Sequence, residues 1–234
     1  MKKISMIVFD MAGTTIDEDN IVYKTLHKAI AESGVMLGLD EVLSIGAGKE
    51  KLNAIKDILA VFGNAVQQAQ ADEIFTHFLA YLEDAYNQND IKPTENAEEV
   101  LKALRLQNIK VVLNTGYDKQ TAVKLLNKIE WKIGEQFDLL VTASDVPNSR
   151  PAPDMIVYAM NHFGISDAST VVKVGDSAID IEEGKNASCI FNIGVTTGAQ
   201  TKEQIEKANP NFIFNDLREL LILIEETNKS SEFN

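Results

Sequence analysis

The stretch that most constrains this chain is Ile4–Asp17, in which an apolar run ends in a carboxylate and a Gly-Thr-Thr turn follows. The run Ile4–Phe9 is short and rich in Ile, Val and Phe, which predicts a buried strand of a parallel sheet rather than a helix. Asp10 would then stand at the carboxyl end of that strand, where open α/β sheets hold their ligands. An aspartate in that place can act as a nucleophile or a metal ligand, although an ordinary turn or helix cap also favours Asp.

The remainder of the chain falls into two regions with different patterns. Between residues 17 and 88 only helical patterns occur, over residues 20–33, 40–45, 49–62 and about 65–86. From Thr94 onward, short apolar strands alternate with helices up to a polar tail, residues 229–234, that we expect to be frayed. This order predicts an α/β fold with a doubly wound parallel sheet. We assign residues 1–16 and 92–234 to that core and residues 17–91 to an inserted helical domain.

The composition excludes several classes of partner. The formal net charge is −13, and such a surface repels nucleic-acid backbones and acidic membrane faces. No apolar run approaches the roughly 20 residues that span a bilayer, and no secretory signal precedes Asp10. The single Cys189 rules out an intramolecular disulfide, so we expect a cytoplasmic protein. The oligomeric state stays open.

Two further predicted strand ends carry polar residues that suit an anionic substrate. Thr115 can donate its hydroxyl to a phosphoryl oxygen, and Gly116 permits a close approach of the backbone. Arg150, in a Pro-rich loop, can neutralise a phosphate and a nucleophile together through its forked guanidinium. The alternatives are a helix N-cap for Thr115 and a surface position for Arg150.

A fourth strand end carries two carboxylates, Asp176 and Asp180, in the first turn of a predicted helix. Mg²⁺ is commonly bound by one or two carboxylates together with substrate oxygens and water, and this pair fits that requirement. The alternative is an acidic first turn that is favoured by the helix dipole alone.

Four motifs together resemble those of the haloacid dehalogenase superfamily of aspartate-nucleophile hydrolases. They are Asp10–Thr15, Asn114–Tyr117, Arg150–Asp154 and Gly175–Asp180. Ala at the third place of the first motif resembles the phosphonatase-like branch of that superfamily. The resemblance implies a Rossmann-like core with a helical cap, and an aspartyl-phosphate formed on Asp10.

The resemblance also implies a role for each matching residue. The implied catalytic residues are Asp10, Lys49, Thr115 and Arg150. The implied substrate-binding residues are Ala12, Gly13, Thr14, Gly116 and Tyr117. The implied positions for Mg²⁺ are Asp10, Ala12 and Asp176, with Asp180 next to the ligands. The implied substrate is a small phosphorylated or phosphonate compound.

Ala12 is the departure with the largest chemical consequence. Phosphatases of the superfamily place an acid there, and general acid catalysis contributes typically ~10²–10⁴ in rate. The phosphonatase-like branch uses a cap lysine instead, which forms a Schiff base with phosphonoacetaldehyde and permits its cleavage to acetaldehyde and phosphate. The Gly-x-x-Lys spacing of Gly46 and Lys49 places Lys49 at the matching position, although a lysine at a helix start is usually solvated.

Other departures keep the substrate open. Leu52 replaces a histidine of the phosphonatase motif, Asn20 replaces a cysteine, and Asp154 stands where a tryptophan is found. The alternatives to a phosphonatase-like hydrolase are a phosphate-monoester phosphatase and a non-catalytic sensor of a phosphorylated ligand.

Overall fold

The computed structural model describes residues 2–63 and 67–232. Its elements in chain order are β1 (Met6–Asp10), β2 (Ile16–Asp17), α1 (Ile21–Glu32), α2 (Leu39–Gly46), α3 (Lys51–Phe62), α4 (Gln68–Gln88), β3 (Lys92–Pro93), α5 (Ala97–Leu106), β4 (Lys110–Thr115), α6 (Lys119–Lys128), β5 (Leu139–Thr142), α7 (Asp154–His162), β6 (Val171–Gly175), α8 (Ala178–Asn186), β7 (Phe191–Val195), α9 (Lys202–Glu206), β8 (Phe212–Phe214) and α10 (Arg218–Glu232). Two short 3₁₀ turns, Ala143–Asp145 and Ala168–Thr170, flank α7.

Six strands form one parallel sheet in the order β5-β4-β1-β6-β7-β8. β1 lies between β4 and β6, so the chain winds outward in both directions from it. In such a sheet the crevice at the carboxyl ends of the central strands is the usual ligand site. Asp10 is the last residue of β1 and pairs with Asn114 of β4, which places both at that crevice.

The strands are buried because helices cover both faces of the sheet. On one face Ile7 and Phe9 pack with residues of α5 and α10, and on the other Met6 and Val8 pack with residues of α7. A strand that is buried on both faces needs apolar side chains at successive positions. The near-continuous apolar run of β1 meets that need, and the predicted doubly wound α/β fold is confirmed.

Helices α1 to α4 pack on one another through α1–α4, α3–α4, α2–α3 and α1–α2 contacts. Their inner faces carry buried apolar residues such as Leu26, Ile55 and Phe78. The two chain connections to these helices form an antiparallel pair, β2 with β3, that was not expected from the sequence. Thr94 strengthens this pair by donating its N–H to the Thr15 carbonyl at 3.0 Å.

Helix α3 begins at Lys51 rather than at Lys49 because Glu50 caps it. The Glu50 carboxylate accepts hydrogen bonds from the N–H groups of Leu52 and Asn53, each at 2.9 Å. An acidic side chain that accepts the first free N–H groups is a strong helix start. The two lysines therefore lie on opposite sides of a helix boundary.

Three other elements differ from the sequence expectation. The apolar run Cys189–Ile193 predicts a strand, but β7 begins at Phe191 because the Cys189 N–H still closes the turn after α8, donating to the Gly184 carbonyl at 2.9 Å. α9 was not predicted because it is short, and α10 continues to Glu232 through part of the tail expected to be frayed. The predicted start of α4 near Ala65 lies outside the described residues.

Among the helices of residues 2–63 and 67–232, none has the length and apolar character needed to cross a membrane.

Candidate active site

The geometry of the site centres on an ion pair between Asp10 and Arg150. The Arg150 Nη1 atom lies 2.6 Å from the Asp10 Oδ1 atom, and both side chains are almost completely buried. Burial raises the pKa of Asp10, and the positive charge of Arg150 opposes that rise. The ion pair places the Asp10 carboxylate beside a cation that a substrate phosphate could also contact.

Arg150 is fixed by partners from two other elements. Its Nε atom donates to Glu183 of α8 at 3.0 Å, and its Nη2 atom donates to the main-chain carbonyl of Asn114 at 2.9 Å. A guanidinium with several fixed acceptors loses little freedom when it binds a further anion. The structure therefore brings the predicted Arg150 to Asp10 and excludes a surface position for it.

A buried lysine that sequence reasoning missed completes the network. Lys173, in the middle of β6, contacts Asp180 at 2.9 Å and Glu183 at 3.3 Å, and donates to Asn114 Oδ1 at 2.7 Å. Its sequence signal was available, because a charged residue inside the apolar strand Val171–Gly175 needs buried partners. Asn114 and Glu183 carried no comparable signal.

Three carboxylates crowd together where a cation is predicted. Oxygens of Asp10, Asp176 and Asp180 lie within 4.8 Å of one another. Burial, together with the charges of Asp10 and Asp180, raises the pKa of Asp176 well above its usual value. Asp176 accepts a hydrogen bond from the Ala199 N–H at 2.5 Å and has no cationic partner among the described residues.

The charge balance of this cluster fits a divalent cation. Arg150 and Lys173 together neutralise two of its four buried carboxylates, which are Asp10, Asp176, Asp180 and Glu183. The remaining excess of two negative charges lies among oxygen donors of the kind that Mg²⁺ prefers. Asp180 is already paired with both cationic side chains, which agrees with a place next to the ligands. Ala12 could contribute only its main-chain carbonyl.

Hydroxyl and glycine positions beside Asp10 make up the predicted phosphoryl cradle. The buried Thr14 hydroxyl has no hydrogen-bond partner. Thr115 Oγ1 accepts the Tyr117 N–H at 3.2 Å, so its own proton is free for a further acceptor. Asp118 rather than Thr115 caps α6, accepting the N–H of the third helical residue. Gly13 has a φ of 84°, which a residue with a Cβ rarely adopts.

The two lysines beside Glu50 have different surroundings. The Lys49 Nζ atom pairs with Asp57 at 2.5 Å, and 28% of the side chain is exposed. Lys51 is only 5% exposed, and its Nζ atom donates to the Lys49 carbonyl at 2.7 Å. Burial lowers the pKa of Lys51 to about 8, opposed by the charge of Asp10. The structure thus places Lys51, which was not predicted as a site residue, on the buried side of this segment.

A fifth buried carboxylate, Glu18, lies near Lys51. Glu18 Oε2 accepts hydrogen bonds from Val22 N at 3.0 Å and from the Tyr86 hydroxyl at 2.8 Å, and Tyr86 in turn meets the Tyr117 hydroxyl at 2.9 Å. Burial raises the pKa of Glu18 to about 8. Tyr117, predicted to bind substrate, therefore belongs to a polar chain that joins α1, α4 and the loop after β4.

The pKa of Glu18 predicts a specific pH dependence of stability. Because the pKa rises from 4.5 in the unfolded chain to about 8 in the folded one, folding takes up a proton between these values and stability falls as pH increases through them. Glu18→Gln keeps both acceptor contacts without a charge. Its stability relative to that of the wild type should therefore rise between pH 5 and pH 8, by up to roughly 1.4 kcal/mol per pH unit.

Urea unfolding at several pH values measures the difference in unfolding free energy between Glu18→Gln and the wild type. The other titrating groups are the same in both proteins, so their contributions cancel. Glu73→Gln, an exposed change of the same type in α4, is the control and should follow the wild type. A constant difference between Glu18→Gln and wild type across the range would contradict the buried-carboxylate explanation.

The fold and this arrangement of Asp10, Arg150 and the acidic cluster are compatible with a hydrolase, and sequence comparison supports that class. A family model described as haloacid dehalogenase-like hydrolase matches residues 4–188. The chain belongs to the haloacid dehalogenase-like hydrolases.

Several relatives are named phosphonoacetaldehyde hydrolase. The one from Latilactobacillus sakei is 30% identical over 205 residues, covering 83% of this chain and 76% of the relative. The one from Parabacteroides distasonis is 28% identical over 273 residues, covering 99% and 100% of the two chains.

Solved structures share the fold at lower identity. A phosphonoacetaldehyde hydrolase-like protein from Oleispira antarctica has a TM-score of 0.83 at 21% identity, covering 97% of this chain and 94% of that one. A predicted phosphoglycolate phosphatase from Haemophilus somnus has a TM-score of 0.77 at 20% identity, covering 95% and 99%.

Proposed function

We propose that this protein is a Mg²⁺-dependent hydrolase that releases phosphate from a small phosphonate or phosphate substrate through an aspartyl-phosphate on Asp10. The observation that carries the proposal is the buried Asp10 carboxylate, 2.6 Å from Arg150, at the switch point of the sheet. A sensor of a phosphorylated ligand would not need a carboxylate directed at the bound phosphate, because like charges repel. Asp10 therefore favours catalysis over binding alone.

Each residue of the site would have a distinct role in the reaction. Asp10 attacks phosphorus, while Arg150, Thr14 and Thr115 hold the phosphoryl oxygens. Gly116 leaves room for the substrate beside the backbone. When bound, Mg²⁺ would supply positive charge between substrate and carboxylates, held by Asp10, the main chain of Ala12 and Asp176.

We further propose that residues 17–91 act as a cap over a core made of residues 1–16 and 92–234. The β2–β3 pair supports this boundary, because both connections pass side by side at one point. The loop before α3 reaches the core: a Cβ on Gly116 would lie 2.8 Å from the carbonyl oxygens of both Gly48 and Lys49. Cap residues therefore stand over the phosphoryl cradle.

The relatives' name supports cleavage of phosphonoacetaldehyde, for which Lys49 would form the Schiff base. This role of Lys49 stays a prediction. Its ammonium would have to leave Asp57 and lose a proton before it could attack an aldehyde. The second candidate is a phosphate-monoester phosphatase, which the buried Lys51 favours.

The test of the proposed function is phosphate release, with Mg²⁺, from phosphonoacetaldehyde and from a panel of small phosphate monoesters. Release that depends on Asp10 from at least one of these compounds is the expected result. Binding of phosphorylated compounds without any turnover would instead support the sensor.

Metal binding gives a separate prediction. Mg²⁺ should raise the unfolding temperature of the wild type, because a ligand at 100 times its Kd stabilises the folded state by about 2.7 kcal/mol. Asp176→Asn keeps the acceptor for the Ala199 N–H but removes the charge, so this shift should disappear. Thermal unfolding with and without Mg²⁺ measures both, with the exposed change Glu225→Gln as control. An unchanged Mg²⁺ response in Asp176→Asn would show that the ion binds elsewhere.

A further inference from the structure

Lys51 is a buried cation with no role in the site described so far. It is the first residue of α3, and its Nζ atom lies 5.1 Å from the ring centre of Tyr23 and 5.3 Å from that of Tyr117. The charges of Asp10 and Glu18 both favour its protonated form. A buried lysine is costly unless something uses or compensates its charge.

The position of this ammonium is next to the phosphoryl cradle. Its acceptor, the Lys49 carbonyl, packs against Gly116, the residue that follows Thr115. A pocket of about 120 Å³ opens at the same place, and its lining includes Lys51, Phe78, Leu82, Gly116 and Tyr117. Gly116 and Tyr117 directly follow Thr115 in the chain, so this partly apolar space lies beside the predicted phosphoryl cradle.

We propose that Lys51 contacts the leaving group of a phosphate monoester and donates the proton that Ala12 cannot supply. This inference rests on the proposed function and specifies its substrate class. The substrate is an ester whose leaving alcohol is small and partly apolar, since the pocket walls are mainly apolar side chains. Lys49, paired with Asp57, has no part in this proton transfer.

The protonated state of Lys51 favours an acid over a nucleophilic amine. The Lys51 ammonium donates a hydrogen bond to the Lys49 carbonyl. The charges of Asp10 in β1 and Glu18 before α1 stabilise the ammonium, whereas the charge of Arg150 destabilises it. Burial brings its pKa to about 8, so it releases a proton near neutral pH far more readily than an exposed lysine.

The reaction balances as follows. An Asp10 oxygen forms a bond to phosphorus, the bond from phosphorus to the ester oxygen breaks, and its electron pair stays on that oxygen. The Lys51 ammonium gives that oxygen a proton, so the alcohol leaves and a neutral amine remains. Water then cleaves the aspartyl-phosphate, restoring the Asp10 carboxylate and releasing phosphate, and the amine takes up the proton that the water loses.

The test compares Lys51→Met with the matched variant Lys56→Met, a lysine of the same helix, on two esters. One ester releases a simple alcohol, which needs a proton, and the other releases nitrophenol, which leaves well without one. Lys51→Met should lower kcat for the alkyl ester by roughly 10²–10⁴-fold and for the nitrophenyl ester by less than about 10-fold. Lys56→Met should change neither by more than a few-fold, because Lys56 lies in the same helix but does not line the pocket.

A second variant guards against misfolding. Lys51→Arg keeps the charge but does not release its proton at neutral pH, so it should show the same leaving-group-dependent loss. Equal losses of kcat on both esters would show that Lys51 has a structural role only. An unchanged kcat for the alkyl ester would overturn the proposal.

Two controls separate this inference from the proposed function. Turnover that survives in Asp10→Asn, or no release from any compound, would contradict the proposed function and the inference with it. Borohydride trapping with phosphonoacetaldehyde, followed by peptide mass mapping, tests the imine route. An adduct on Lys49 or Lys51, with C–P cleavage faster than ester hydrolysis, would contradict the inference about Lys51 alone.

Discussion

Asp10→Asn should lower phosphate release by roughly 10⁴-fold or more, because an amide is a poor nucleophile and the reaction has no other group placed to attack phosphorus. The change keeps the size of the side chain. Arg150 would still be held by Asp180 at 3.0 Å and by Glu183 at 3.0 Å, so the fold should persist.

The measurement is steady-state phosphate release by the purified variant, with circular dichroism to confirm folding and mass spectrometry to exclude deamidation back to Asp. Asp17→Asn is the matched control, because it makes the same change on a partly exposed side chain of β2. Undiminished release by Asp10→Asn would eliminate the covalent mechanism.

Lys173→Met should give the largest loss of stability among single changes at the site. Lys173 is fully buried and pairs with Asp180 and Glu183, which would be left with Arg150 as their cationic partner among the described residues. Removing one member of a buried ion-pair network typically costs ~3–5 kcal/mol, because the remaining charges lose their compensation. Urea or thermal unfolding without added metal measures this loss.

Lys229→Met is the control, since Lys229 forms an exposed pair with Glu225 in α10 and its loss should leave the unfolding transition unchanged. A second variant tests the cause. Adding Glu183→Gln to Lys173→Met removes one uncompensated charge and should recover part of the stability. No recovery would indicate that lost packing, rather than charge, explains the effect.

The sequence was sufficient to predict the sheet and the place of Asp10 at the end of its central strand because both signals are local. An apolar run followed by Asp10 identifies a strand and its end, and Arg150 lies within a short motif of its own. Lys173 and Glu183 lie on the consecutive elements β6 and α8, but Asn114 of β4 is 59 residues away from Lys173. Only the register of β4, β1 and β6 brings them together, and register is a property of the folded sheet.

The environment of the cap lysines could not be read from spacing for a related reason. Lys49 and Lys51 are two residues apart, and in a helix residues at that spacing do not share a face. Which of them becomes buried depends on where α3 begins, and the Glu50 cap fixes that start. A two-residue difference in the start of α3 was therefore enough to obscure which amine becomes buried.

The short β2–β3 pair has a consequence for how the chain can fold. β1 pairs with β4 and β6, so the partners of the central strand lie much later in the sequence. Closing such long loops is entropically slow. Once α1–α4 have packed, however, Ile16 and Pro93 are neighbours. The loop that remains to be closed between β1 and β4 is then short. Early packing of these helices would therefore speed assembly of the sheet, and weakening the pair at Ile16 should slow refolding more than it lowers stability.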